Sequence, residues 1–349
     1  MFLHAFNYFR GIAILFIVAG HCYWMIDWTS HSFPDKVIAN LVNGGTSLFV
    51  FISGFLFHHI FYRQFNYRRF MLKKAGNVLL PYMILSSLGF LYIAVYLESP
   101  AFPQYFYLDN PGPWQEYLRP ALLYLWTGRI LPGYWYIPFI MITFLLSPLH
   151  TRIIELPVRL QLTVFLGLML VTMLVQRPVD NISVLQSVVY FTPVYILGIL
   201  SSIHRQAIHA RLVNREWLLL LAAVILAMLQ VLVHDKIGSY HKPPLQYAGF
   251  DIMMLQKICL CLFFMVFLQR FEHARLSMLQ LMASGSFAIY FLHPWVLYFI
   301  EPVLAAHPVN LPGGMKWLLL TLLVTVTSLL LASIIKQLAG SRSRYLIGW

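Results

Sequence analysis

The chain is short of charge. Of its 349 residues only 10% are Asp, Glu, Lys or Arg, against roughly 25% in ordinary soluble domains, which excludes a single water-soluble globule. Acid is scarcest: 12 Asp and Glu stand against 24 Lys and Arg, for a formal charge of +12. An excess of that sign can serve nucleic acid, but no one face or tail collects it here. The basic residues fall in short stretches between apolar runs, so topology explains them and nucleic acid is not an expected partner. Cysteine is scarce as well. Cys22, Cys259 and Cys261 lie inside apolar runs without His and Cys partners at zinc-ligand spacing, so neither a disulfide nor a metal site is predicted. No fixed-period repeat, low-complexity tract or stretch suited to a soluble domain interrupts the sequence.

What the chain has is hydrophobic residues, 60% of the total, and a mean hydropathy of +0.73. Stretches such as 218–229 and 318–335 are apolar or small on every face and lack the alternation of outer-membrane strands. The predicted fold is therefore all-α: one integral-membrane domain over residues 1–349 with about ten transmembrane helices. Ten windows long enough to span a bilayer lie near 6–26, 43–61, 79–97, 134–150, 160–176, 184–203, 216–233, 252–270, 283–302 and 315–335. An eleventh patch, 117–131, is short and contains Arg119, Pro120 and Arg129, and reads as interfacial or re-entrant. The first window follows Arg10 as a signal sequence would, but His21 and Trp24 interrupt the place of a small-residue cleavage site, so an uncleaved first helix is expected.

Charge placement orients the spans. With ten spans and a cytoplasmic N-terminus, the inner loops and tail hold fifteen basic residues: Arg63, Arg68, Arg69, Lys73, Lys74, Arg152, Arg159, Arg205, Arg211, Arg215, Arg270, Arg275, Lys336, Arg342 and Arg344. The outer loops and helix ends hold seven: Lys36, Arg119, Arg129, Arg177, Lys236, Lys242 and Lys316. That bias puts both termini in the cytoplasm and the long Pro- and aromatic-rich loop 98–133 outside. An eleventh span would place the later basic loops on the wrong side.

Ionisable groups inside a bilayer cost roughly 2.5–3.5 kcal/mol each on insertion scales and by default mark function. The first helix carries two, Arg10 and His21. Eleven residues advance about 20° beyond three full turns, so both project from one face about 16 Å apart. Alone, Arg10 reads as a snorkelling anchor and His21 as a packing group; the shared face joins them. Asp27, Asp251, Lys257 and Glu301 sit near the outer boundary, where solvated helix ends are the default reading, with Lys257 the deepest. Ser53 and Gly54 suit close helix contact better than chemistry.

The run from Arg10 to His21 resembles the first-helix pattern of the membrane-bound acyltransferase-3 family, bacterial enzymes that acylate sugars and polysaccharides: a basic residue, ten intervening residues and a histidine. Ser53-Gly54-Phe55 is similar to the family's second-helix segment, and the basic stretch Arg68 to Lys74 before Pro81-Tyr82 to its loop before the third helix. Trp135-Tyr-Ile-Pro138 and Tyr290-Phe-Leu-His293-Pro294 resemble later segments, so the likeness runs from residue 6 to about 300. One departure is Asn77-Val78-Leu79-Leu80, where the family commonly has an arginine a few residues before the proline.

The resemblance implies an O-acyltransferase of the bacterial inner membrane, one that moves an acyl group, acetyl first among them, from cytoplasmic acyl-coenzyme A to a sugar hydroxyl of an envelope glycan or lipid-linked precursor. His21 is the expected base, since imidazole has the unperturbed pKa nearest neutrality, and Arg10 on the same face is the second expected catalytic residue. Arg68, Arg69, Lys73 and Lys74 are expected to take the phosphates of acetyl-CoA, and Trp135 and His293 to help hold the acceptor. Membrane lipids are the remaining partner. A transporter of a glycan intermediate or organic anion, for which intramembrane Arg and His would also serve, is the alternative, although residues 1–170 and 171–349 show no matching halves. A non-catalytic membrane sensor is the third.

Overall fold

The apolar runs fold as helices because only a helix satisfies its backbone polar groups within one segment away from water. The computed structural model describes residues 4–26, 32–96, 106, 112–308 and 310–349, so Asp27 and most of the loop 97–111 lie outside the described residues. Helix α1 (His4–Tyr23) is followed by α2 (Phe33–Val42), α3 (Thr46–Leu56), α4 (Tyr67–Lys74), α5 (Leu80–Gly89), α6 (Pro113–Thr127), α7 (Tyr136–Leu145), α8 (Ser147–Glu155) and α9 (Val158–Val175). The second half comprises α10 (Val184–Ile203), α11 (Arg205–Leu212), α12 (Glu216–His234), α13 (Ile252–Phe267), α14 (Ser277–Ser284), α15 (Ser286–Ala306), α16 (Gly313–Ala339) and α17 (Ser343–Ile347). Among the described residues there is no strand, only an isolated bridge between Arg177 and His241.

Nine helical stretches among the described residues are long and apolar enough to cross a membrane, or ten if α7 and α8, bent by 56°, are counted as one broken span rather than a re-entrant loop. All ten expected windows are thus helical. The second and third spans are longer than their windows, running over Phe33–Gln64 and Tyr67–Ile93. The patch near 117–131 is α6 and the turn after it. Helices α9, α12 and α16 expose leucine-rich faces, among them Leu162, Leu166 and Leu170, Leu218 and Leu221, and Leu318, Leu322 and Leu330, which suit lipid. The opposite face of α16 buries Thr321, Thr325, Ser328 and Ala332, spaced one helical turn apart.

Helix α1 lies at the centre, in contact with α3, α13, α14, α15 and α16. Its first N–H groups have no intrahelical acceptor, and the Glu272 carboxylate accepts from His4 N at 3.0 Å and Ala5 N at 2.8 Å. Phe6 stacks on Phe55 at 3.6 Å, and at the other end the Trp317 indole N–H donates to Ala19 O at 2.7 Å. Lys257 serves as a clasp. Its Nζ is buried and donates to the carbonyls of Asn40 (3.0 Å) and Leu41 (2.8 Å) at the C-terminal end of α2, where a cation is favoured. The lysine stem passes Gly44, whose φ of +80° and missing Cβ leave it room.

The closest helix crossing joins α3 and α10. A Cβ on Gly54 would stand 1.9 Å from Tyr195 O, and one on Gly198 would stand 2.1 Å from Phe51 O. Small residues let membrane helices meet backbone to backbone, so Gly54 is a packing residue.

Gly54→Ala therefore forces the helices apart and is expected to lower thermal stability in detergent by about 1–3 kcal/mol or more. Gly167→Ala, in a helix where nothing lies within 4 Å of the new methyl group, serves as the control and should be neutral or mildly stabilising. Equal losses for both would mean that the crossing is not tight. Ten spans would return the chain to its starting side, which the basic bias of the sequence predicts to be the cytoplasm. A cysteine replacing Asn66 should then resist an impermeant thiol reagent in intact cells, whereas one replacing Leu245, which is 98% exposed in an outer loop, should react; the reverse pattern would invert the orientation.

Candidate active site

The side chains of Arg10 and His21 both turn toward α15. The Arg10 guanidinium donates to the Ser286 hydroxyl at 2.8 Å, and the His21 ring lies 5.2 Å from the ring of His293, centroid to centroid. The shared face is thus real, and the two helices run side by side in the same direction.

His293 is held by its own helix. Pro294 has no N–H for the Tyr290 carbonyl four residues back, and one residue earlier in the helix the imidazole Nδ1 lies 3.0 Å from Ile289 O. A carbonyl only accepts, so Nδ1 carries the proton. The Nε2 atom is buried and without a partner among the described residues.

A tight turn after α6 closes the space over His21. Gly128 (φ +69°) and Gly133 (φ +89°) adopt left-handed backbone that favours glycine. A Cβ on Gly133 would stand 3.1 Å from His21 Nε2 and 3.9 Å from His293 Cε1, so the bare backbone approaches the imidazole edge. Two tyrosines fix the turn: Tyr290 donates to Gly133 O and Tyr134 to Phe291 O, each at 2.6 Å. Ile17, His21, Thr46, Phe49, Trp135 and Tyr290 help line a cavity of about 20 Å³ there, room for about one water.

At the His21 end, Trp135 stacks on Phe139 (5.6 Å) and Phe191 (5.9 Å), and the Arg177 guanidinium lies 4.8 Å from the Trp135 ring centroid. Arg177 also donates to Asn181 at 2.8 Å. Its charge and that of Arg129 both reach His21. In the loop between α12 and α13, burial followed by the charges of Arg177, Lys236 and Arg129 depresses the pKa of His241 to about 3, against the opposing pull of the Pro178 carbonyl. The mouth therefore has a positive field.

At the inner end the four basic residues diverge. Arg69 and Lys73 line a surface groove of about 210 Å³ with Asn66, Gln64, Phe61 and Phe65, and Arg68 is exposed on the same short helix. Lys74 turns inward. Its Nζ lies 4.4, 5.2 and 5.4 Å from the rings of Phe144, Phe61 and Phe70, close enough to Arg10 for the charges to interact. The Asn77-Leu80 segment after it adopts a π-helical turn over Ala75–Leu79, packed by the C-terminal segment.

Of the expected site residues, the structure brings His21, His293 and Trp135 together near one end and Arg10 and Lys74 at the other, with Arg68, Arg69 and Lys73 on the surface beyond. Ser53 lies 3.5 Å from the Tyr136 hydroxyl, so the second-helix and Trp-Tyr-Ile-Pro segments meet in space. Gly133, Tyr290, Arg129 and Arg177 were not legible as site residues; the glycines framing a short aromatic stretch and the few outer arginines were the available signals.

No curated protein and no solved structure matches the chain. The sequence profile of the acyltransferase-3 family, described as an acyltransferase domain, matches residues 3–336. With helices suited to a bilayer and a histidine-lined cavity enclosed among them, the chain belongs to this family of membrane acyltransferases.

Proposed function

We propose that this acyltransferase takes an acyl group, acetyl by preference, from cytoplasmic acyl-coenzyme A and esterifies a sugar hydroxyl of an envelope glycan or its lipid-linked precursor at the outer side of the bacterial inner membrane. The observation that carries this reading is the polar face of α1, with Arg10 toward the basic inner surface and His21 in the cavity under the outer mouth, both against α15. Coenzyme A carries several phosphates, and Arg68, Arg69 and Lys73 offer charge-assisted contacts for them at the inner surface. Arg10 and Lys74 continue the positive path inward for the thioester arm.

At the outer end His21 Nε2 removes the proton of the sugar hydroxyl as its oxygen attacks the thioester carbonyl. The C–O bond forms, the C–S bond breaks, and the proton on His21 passes to the departing thiolate to give coenzyme A. Enclosure among helices keeps bulk water, a competing nucleophile, from the thioester. His293 keeps its Nδ1 proton on Ile289 O, which leaves Nε2 to accept from the acceptor.

His21→Asn preserves size but removes the base. It is expected to insert at normal levels and bind acetyl-CoA, with transfer falling by about 10²- to 10⁴-fold, read as loss of the ester by mass analysis of envelope glycans. Transfer within a few-fold of the parent at matched protein amounts would make His21 a packing residue. Replacing Arg68, Arg69 and Lys73 together by Gln should raise the KM for acetyl-CoA at low salt, a difference that shrinks as salt screens the contacts. An unchanged KM in a correctly oriented variant would reduce the inner groove to a topology signal.

A further inference from the structure

The outer arginines are not only the minority side of a topology count. Arg177 follows α9 and is locked there by backbone bonds, Arg177 N to Tyr240 O at 3.3 Å and Lys242 N to Arg177 O at 2.9 Å. Its guanidinium lies over Trp135, which lines the His21 cavity, and one of its terminal nitrogens donates to Asn181. Its Nε–H is buried and has no partner among the described residues.

Nor is its charge paired among the described residues. Among the described residues no carboxylate lies within ion-pairing distance of Arg177; the ion pairs are Lys36–Asp235 and Arg270–Glu216. The acid whose field reaches it, Asp251, accepts from the Tyr190 hydroxyl at 2.6 Å and caps α13 through Met254 N at 3.0 Å. Lys242 is also committed, its Nζ donating to the carbonyls of Leu174 and Gln246. A desolvated guanidinium is costly unless an anion answers it, and the field of a second cation, Arg129, reaches the same His21 and His241.

We propose that this mouth is an anion subsite for the acceptor: Arg177, laid on Trp135 with Arg129 nearby, takes a carboxylate or phosphate carried by the sugar whose hydroxyl reaches His21, so the acceptor is an acidic or phosphorylated sugar. This rests on the acyltransfer reading above and adds the substrate's charge to it. The geometry separates this site from the donor phosphates, which belong to the groove of Arg69 and Lys73 at the other end of α1. Guanidinium matches a planar or tetrahedral oxyanion with two parallel donors, and the Trp135 ring beneath it holds it in place.

The test uses the full chain in phosphatidylcholine nanodiscs and three labelled probes: methyl glucoside, methyl glucuronide and glucose 1-phosphate. Equilibrium binding should favour at least one anionic probe over the neutral one by about tenfold or more, as expected for one charge-assisted hydrogen bond. Arg177→Gln should abolish that preference without changing the binding of methyl glucoside or the KM for acetyl-CoA, and Arg177→Lys should restore it in part. Which anionic probe wins separates carboxylate from phosphate. Equal binding of all three probes, a preference that survives Arg177→Gln, or an effect of that variant on acetyl-CoA alone would overturn the proposal. So would loss of the preference in phosphatidylglycerol nanodiscs, which would assign the site to a lipid headgroup. Because binding is read without turnover, it should persist in His21→Asn; a parent chain that forms no ester from acetyl-CoA would refute the acyltransfer reading and leave the binding result standing, whereas a transfer-competent His21→Asn would only make His21 a packing residue.

Discussion

The structure depends on burying a helix with two ionisable side chains at the centre of an otherwise apolar bundle. Neither Arg10 nor His21 can face lipid at acceptable cost, so α1 has to be enclosed. Its neighbours supply what each group needs: a hydroxyl from Ser286 for Arg10 and the enclosure of His293, Gly133 and Trp135 for His21. Other close contacts keep the enclosure tight, with Gly11 against the backbone of α14, Gly45 against α1 itself and Gly54 against α10. In a bilayer, where hydrophobic association between helices is weak, such backbone contacts replace the driving force that water supplies elsewhere.

The polar face of α1 divides into two ends of different chemistry. The inner end is cationic and reaches solvent through Arg69 and Lys73, while the outer end pairs imidazoles with an aromatic platform and arginines. Between them the cavity at His21 holds about one water, so the described conformation is closed to both substrates. The parts that close it are the Gly128–Gly133 turn and the proline-interrupted α15, joined by Tyr134 and Tyr290. Both hinge features are of the kind that accommodates movement: left-handed glycines on one side, a helix missing a backbone hydrogen bond on the other. Closure keeps bulk water away from the His21 imidazole.

Much of this was written locally. The spans, their number and the Arg10–His21 face follow from apolar run length and helical pitch, properties each segment has by itself. Ser53-Gly54-Phe55 was legible as a packing element because a small residue in an apolar helix has few other uses, and Tyr195 O against Gly54 bears that out. Lys257 was legible only as an unusually deep cation. Its partners, the last carbonyls of α2, are more than two hundred residues away in sequence and become visible only once α2 and α13 pack.

The sequence by itself determined a helical membrane protein of nine or ten spans, its charge bias and a central basic-and-imidazole pair, because hydrophobicity and periodicity act within a segment. Tertiary structure alone decided what surrounds that pair. It sent Lys74 inward and left Arg68 on the surface although both belong to one short basic helix, since only some faces of that helix meet the bundle. It brought Gly133 and Tyr290, from separate elements, to the His21 edge. Arg177 likewise read as an outer-loop charge until α9, α10 and the α6–α7 turn laid it over Trp135, because the chemistry of a site depends on which distant surfaces close together.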